Sequence, residues 1–349
     1  MIKLLTLIFI PISRLWEILH KIRRSFYEYG IFKKEYFKVP IISVGNLSFG
    51  GTGKTPIVVW LVQYLNQLDK NCVVLSRGYK GSKEKSIGLI KGGQRFRSNP
   101  LEFGDEPLLI ARKIQNGSVL VGQNRAENLK SKFHELNPDV VVLDDGFQHL
   151  KLHRSLNILL FDAMLPIEKY KTFPLGYLRE GLDSIKDADA ILISRSNLAS
   201  ENKISELINL ISQYSRPDVV IARFYYRCIG FYDAFDKKVL SVEEIGGKNV
   251  IALSALASPE SFYTSLEQLG ANIIEKSTYP DHYFFTPEDI NDLLVKSTQH
   301  LAVIIASEKD MVKIRRVTQD PRILYMGIDI VFHSGEQNLK DLVKEITHR

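Results

Sequence analysis

The sequence predicts an α/β fold, with a doubly wound, mostly parallel sheet and a second, smaller α/β domain. Three observations predict it. Apolar runs of strand length recur at 39–44, 72–76, 118–121, 140–144, 157–161 and 190–194, separated by helical stretches. A glycine-rich turn follows the first run and opens onto an apolar helix pattern. The fourth run ends in adjacent carboxylates, Asp144 and Asp145, at the sheet edge where ligand sites form in such folds.

The first element is residues 1–35. Of the net charge of +6 on 349 residues, +5 lies within residues 1–38, which hold eight basic residues against three acidic ones. A nucleic-acid binder carries its basic surface on the folded domain, so nucleic acid is not an expected partner. Residues 2–12, IKLLTLIFIPI, are apolar but short of the ~18–20 residues that span a bilayer, and Pro11 interrupts them. No small-residue cleavage site follows. In the next stretch Leu15, Leu19, Ile22, Phe26 and Tyr29 share one helix face, and Arg14, Glu17, Lys21, Arg24 and Glu28 lie elsewhere. That pattern suits a helix lying on an anionic membrane surface, or one packed on its own domain.

The strand at 39–44 leads into Gly45-Asn-Leu-Ser-Phe-Gly-Gly-Thr-Gly-Lys-Thr55 and then an apolar helix with Pro56 in its first turn. This is a phosphate-binding P-loop. Ser48, Phe49, Gly50, Gly51, Thr52 and Gly53 form a turn whose backbone N–H groups can curl around phosphates. Lys54 reaches the β- and γ-phosphates of ATP, and the Thr55 hydroxyl is a Mg²⁺ ligand. Ser48 stands where the usual pattern has its first glycine, and Gly50 and Gly51 compensate.

Asp144 or Asp145 is then the Mg²⁺ partner that a P-loop needs. His149 could contact phosphate or serve a structural hydrogen bond. Leu75-Ser-Arg-Gly-Tyr-Lys-Gly81 brings Arg77 and Lys80 near the same sheet edge. Gly104-Asp-Glu-Pro107 opens a helix, where Asp105 reads by spacing as a cap. Arg125, after the strand at 118–121, could clamp phosphate or solvate a helix start.

Later strands at 249–253 and 302–306, with helices near 259–269 and 287–297, predict the smaller domain. The division is 1–35, an amphipathic membrane-associating segment; 36–220, the P-loop kinase domain; and 221–349, the smaller domain with linking strands at 220–232 and 323–332 and a C-terminal helix. Cys72 and Cys228 sit apart in apolar runs, which argues against a disulfide or metal site and fits a reducing cytoplasm.

These stretches together resemble the tetraacyldisaccharide 4′-kinase family of lipid A synthesis. The resemblance covers almost the whole chain through ISVGNLSFGGTGKTP, LSRGYKG, GDEPLLIAR, VGQNRAEN, VVLDDGFQHLKL, PLGYLRE, YPDHYFFT and SEKDMVK. It implies transfer of the ATP γ-phosphoryl to the 4′-hydroxyl of a tetraacylated disaccharide 1-phosphate, giving lipid IVA. By motif, Asp105 and His282 would be the acid–base pair, Lys54 and Asp145 would support transfer, and Asp144, Asp145 and Thr55 would hold Mg²⁺. Arg125, His149, Arg179 and Glu180 match further substrate-binding positions. The implied place is peripheral, on the cytoplasmic face of the bacterial inner membrane, with no obligate protein partner evident. Departures from the family pattern stand at Ser155, Gly181 and residues 254–259. Because His282 and the P-loop fall in different expected domains, the cleft between them must close for both to reach one site.

A P-loop GTPase or metal-chaperone ATPase is the competing enzyme class. Ser194-Arg-Ser-Asn197 lacks the guanine-reading motif of the first, and no Cys/His cluster serves the second. A nucleotide-binding membrane scaffold would have no need of Lys54, Thr55 and both aspartates.

Overall fold

The protein, seen here as a computed structural model, is described over residues 2–93 and 99–348. The strands are β1 (Ile41–Asn46), β2 (Cys72–Ser76), β3 (Gly88–Lys91), β4 (Ser118–Val121), β5 (Val140–Asp144), β6 (Leu156–Asp162), β7 (Ala190–Ser194), β8 (Val220–Tyr232), β9 (Lys238–Leu240), β10 (Asn249–Ser254), β11 (Asn272–Thr278), β12 (Val303–Ser307) and β13 (Ile323–Ser334). The helices are α1 (Ile2–Glu28), α2 (Lys54–Gln67), α3 (Pro100–Phe103), α4 (Asp105–Lys113), α5 (Arg125–Leu136), α6 (Glu201–Ser212), α7 (Glu260–Gln268), α8 (Pro287–Gln299), α9 (Glu308–Ile314) and α10 (Glu336–Thr347).

One sheet runs in the order β11-β10-β12-β13-β8-β7-β6-β1-β5-β2-β4-β3, with β9 beside β8. The central strands β1, β2, β5 and β7 are buried on both faces and parallel, which is why they read as unbroken Val/Ile/Leu runs. Strand β1 lies between β5 and β6, so the winding reverses there, and crevices open at the carboxyl ends of such strands. Val44 pairs in register with Asp144, which puts the glycine turn beside the acidic one.

Three strands escaped the sequence reading, among them the three-residue β9. Strand β3 is a short antiparallel edge, and β11 is an edge strand that alternates between exposed and covered positions, so neither forms a long apolar run. The two expected linking segments pair antiparallel as β8 and β13, and the sheet continues through them. From β13 the chain returns as α10, whose Leu339 and Val343 join the core that also buries Ile57, Leu61 and Phe224.

Helix α1 departs from expectation twice. Pro11 lies inside a continuous helix rather than ending it. Its polar face, moreover, is the one that docks. Ser13 Oγ donates to the Thr172 carbonyl at 2.8 Å, Trp16 Nε1 to the Arg179 carbonyl at 2.8 Å, and Arg23 Nη2 to the Gln148 carbonyl at 3.2 Å. Arg24 is buried, with Nε and Nη2 bonded to the two oxygens of Glu180 at 2.7 and 2.9 Å, and it also meets Asp187. Ile12, Leu15, Ile18, Leu19 and Ile22 stay 45–58% exposed on the outer face. Phe26 instead turns in on Phe32, and Tyr29 lies beyond the helix end. The side chains of residues 2–8, half of the expected apolar tip, lie outside the described residues.

Removing one partner of a buried ion pair leaves the other unpaired in low dielectric. Arg24→Met should therefore destabilise the protein by about 3 kcal/mol, read as a lowered melting temperature. Unchanged melting would mean that α1 is not held by this pair.

Candidate active site

Strand β1 ends at Asn46, and Gly53, at φ +84°, caps α2 without a side-chain hydrogen bond. The first-turn N–H groups of α2 therefore point into the loop without a side-chain cap, which makes an anion seat. Gly50 and Gly51 face open space. Ser48 is buried, with its carbonyl taking the Asn46 Nδ2 donor at 2.9 Å, and the Phe49 N–H donates to the Tyr177 carbonyl at 2.7 Å. The Thr52 hydroxyl is buried with no partner. Thr55 sits in the first turn of α2. A Cβ on Gly53 would overlap the hydroxyl of Tyr226, from β8, so glycine is required there by space as well as by φ.

Lys54 Nζ lies 3.0 Å from Asn46 Oδ1 and 3.4 Å from Asp145 Oδ1. Asp145 also takes Arg179 Nη1 on both oxygens, at 2.9 and 3.1 Å, while Arg125 Nη1 donates to its carbonyl at 3.1 Å. Burial alone would raise Asp145, but Lys54, Arg179 and Arg125 hold it at about 2. Asp144 is its opposite. Burial, then Glu106 and Asp145, push it up to about 6 against Arg125 and the 2.9 Å hydrogen bond from Ser76 Oγ. Two neighbouring carboxylates, one short of positive charge, are hard oxygen donors of the kind that Mg²⁺ takes. Among the described residues no group of three or more His, Cys, Asp or Glu side chains could hold a metal by itself. Mg²⁺ commonly binds through one or two carboxylates plus substrate phosphates, so the residues fit it.

Asp105 is not the cap that spacing suggested. Gly104, at φ +85°, takes the cap position and Asp105 is the first residue of α4. His282 Nδ1 stands 3.0 and 3.1 Å from the two Asp105 oxygens. Burial would raise Asp105, yet the His282 hydrogen bond, Lys309 and Lys313 bring it down to about 2. An ionised carboxylate only accepts, so Nδ1 carries the proton and donates it. Asp105 and His282, from the two expected domains, thus meet in this conformation, with α4 and α9 packed together.

The remaining candidates divide. Arg125 and Arg179 join the carboxylate centre, as above. Arg77 turns aside to Glu84, at 2.7 Å. His149 is half-buried, with its Nε2 enclosed and unpartnered; burial, then Arg125, Arg154 and Arg23, lower it to about 3, so it is neutral. Glu180 is buried between Arg24 and Gln148 Nε2, which is 2.8 Å away, so it ties α1 to the site edge. Sequence reasoning missed Asn46, Gln148, Glu106, Tyr226 and Lys309. All but Tyr226 lay inside quoted motifs, between residues with louder chemistry.

The chain matches the family model described as tetraacyldisaccharide-1-P 4′-kinase over residues 5–348. It is 30% identical to the tetraacyldisaccharide 4′-kinase of Halothermothrix orenii over 94% of this chain and 89% of that one. It is 33% identical to that of Desulfotalea psychrophila over 87% and 86%. Among solved structures, LpxK from Aquifex aeolicus, an "apo" form in complex with ATP, superposes with a TM-score of 0.76 at 29% identity, over 97% of this chain and 98% of that one.

Asp144 has a folded value of about 6 against an ordinary 3.8, so its ionisation between about pH 4 and pH 6 costs stability. In EDTA, Asp144→Asn should melt higher than the parent at pH 8, by about 2–3 kcal/mol, and the gap should close below pH 4. A variant that is less stable at pH 8 would show that the carboxylate is not short of positive charge.

Proposed function

Because this chain belongs to the tetraacyldisaccharide 4′-kinase family, we propose that it transfers the ATP γ-phosphoryl to the 4′-hydroxyl of tetraacyldisaccharide 1-phosphate, forming lipid IVA. The observation that carries this reading is the contact of Asp105 with His282, in a chain whose P-loop lysine lies beside the Asp144-Asp145 turn.

The nucleotide phosphates lie along residues 48–55, against the N-terminus of α2 and the Lys54 ammonium. Asp144, Asp145 and Thr55 would hold Mg²⁺, which would supply neutralising charge to the phosphates. Arg179 and Lys54, already clustered on Asp145, supply fixed positive charge where it develops in transfer. The 4′-oxygen forms its bond to the γ-phosphorus as the bond to ADP breaks, and the hydroxyl proton passes to the Asp105–His282 pair. A sugar hydroxyl is a poor nucleophile, and most of the acceleration comes from placement.

No helix among the described residues is long and apolar enough to cross a membrane. The outward face of α1 (Ile12, Leu15, Ile18, Leu19, Ile22) supports docking on a membrane surface, where the lipid acceptor resides. The same helix holds Glu180, Gln148 and the Arg179 backbone, so the docking face and the site edge are one rigid unit. We place the enzyme peripherally on the cytoplasmic face of the inner membrane, with residues 36–220 and 221–349 acting as its two parts.

Purified enzyme with Mg-ATP and the lipid acceptor in micelles should phosphorylate the lipid, and Lys54→Ala should abolish transfer. Asp105→Ala and His282→Ala should each lower kcat about 10²–10⁴-fold with little change in KM for ATP. ATP hydrolysis that ignores the lipid would move the reading to a P-loop ATPase. Replacing Leu15, Leu19 and Ile22 together with Ser should weaken co-sedimentation with anionic vesicles at least about tenfold. Equal sedimentation would place the membrane contact elsewhere.

A further inference from the structure

The stretch Ser307-Glu-Lys-Asp-Met-Val-Lys313 supplies no group to the transfer step described above, yet it sits against the acid–base pair. Ser307 caps α9, accepting the Asp310 N–H at 3.1 Å. Glu308 is buried between Lys113 and the Ile328 N–H, so the start of the helix is pinned from two sides. From this fixed base Lys309 Nζ reaches Glu106 Oε1 at 3.0 Å, His282 Nε2 at 3.5 Å, Asp281 Oδ1 at 3.7 Å and Asp105 Oδ2 at 3.9 Å.

We propose that Lys309 is a positioning residue of the acid–base pair, holding the His282 ring with its proton on Nδ1 against Asp105 and keeping Nε2 unprotonated. The proposal rests on the assignment of Asp105 and His282 as that pair.

The charges around the ring single Lys309 out. From α4, Asp105 faces it, with Glu106 behind on Lys309; from its own turn, Asp281, whose Oδ2 stands 3.7 Å from Nε2; from the loop after β2, the Tyr79 ring at 5.2 Å, and Lys80, which is turned to the Asp281 carbonyl at 3.4 Å. From α9 come Lys309 and Lys313. Lys313 is buried over the Phe285 ring and paired with Asp310 at 2.7 Å, and it reaches Asp105 but not the ring. Among the described residues Lys309 is the cation that comes within 3.5 Å of Nε2. Three carboxylates around it keep it charged: burial would lower its pKa, but Glu106, Asp105 and Asp281 raise it. An ammonium cannot accept a proton, so its approach to Nε2 is favourable only when that nitrogen presents its lone pair. The ammonium thereby works against Asp281 and favours the proton arrangement, with the Nε2 lone pair free, that can still take a proton from the acceptor. A ring already protonated at Nε2 would have nowhere to put it.

A nearby positive charge lowers the pH at which a base protonates, so removing it raises that pH. The full-length enzyme with Mg-ATP and micellar lipid acceptor is assayed across pH 5.5–9 as parent, Lys309→Met, Lys309→Arg and His282→Ala, with melting curves for each. In Lys309→Met the acid limb of kcat should move up by about one pH unit, with KM for ATP within about twofold of the parent. Lys309→Arg, which keeps the charge, should restore the limb. Where Lys309→Met melts below the assay temperature, Lys309→Gln replaces it and should show the same shift. An acid limb that stays put after loss of the charge overturns the proposal, as does a limb that Lys309→Arg fails to restore. Full turnover in His282→Ala would instead overturn the acid–base assignment on which the proposal stands.

Discussion

The antiparallel pairing of Val220–Tyr232 with Ile323–Ser334 is the interaction on which the site depends. It joins the strands around the phosphate loop to β10, β11 and β12, and it fixes where α9 and the turn carrying His282 arrive relative to α4. The same ribbon presses Tyr226 onto Gly53, so the shape of the phosphate loop and the placement of the second group of strands share one support. A long two-stranded ribbon suits this work, because its many ladder hydrogen bonds resist shear while its right-handed twist permits bending.

Charge placement explains much of the rest. Asp105 is buried and Asp145 half-buried, and both carboxylates remain ionised because lysines and arginines from distant parts of the chain converge on them. Asp144, a neighbour of Asp145, lacks that support and is left with a raised proton affinity. An unpaired buried carboxylate is costly, and such costs persist at functional sites where a ligand's charge can offset them. The contrast between two adjacent residues comes from which cations reach each one, since both belong to the same acidic turn.

Helix α1 inverts the usual logic of an amphipathic helix. Its polar side is turned inward because Glu180, Asp183 and Asp187 wait there for Arg24 and Lys21. Its apolar side remains uncovered by the protein. Sequence periodicity identified both faces but could not say which would be buried, since the hydrophobic effect favours covering the apolar face with either protein or lipid. Buried Glu180 and half-buried Asp187 decided it, and both lie more than 150 residues further along the chain.

The sequence by itself determined the phosphate loop, the acidic turn at Asp144-Asp145, the parallel strands that carry them and the family to which they belong. These are local signals: a strand, a turn and a helix start within some twenty residues, or an unbroken apolar run. It also singled out Asp105 and His282, through motifs rather than through any physical spacing. Only the tertiary structure decided that His282 Nδ1 meets Asp105, that Lys309 backs the pair, that Arg77 turns aside to Glu84 and that Glu180 holds a helix instead of facing the open loop. Each of these is a contact between residues whose relation in the chain has no period. What sets it is the register of β8 on β13 and the packing of α4 against α9.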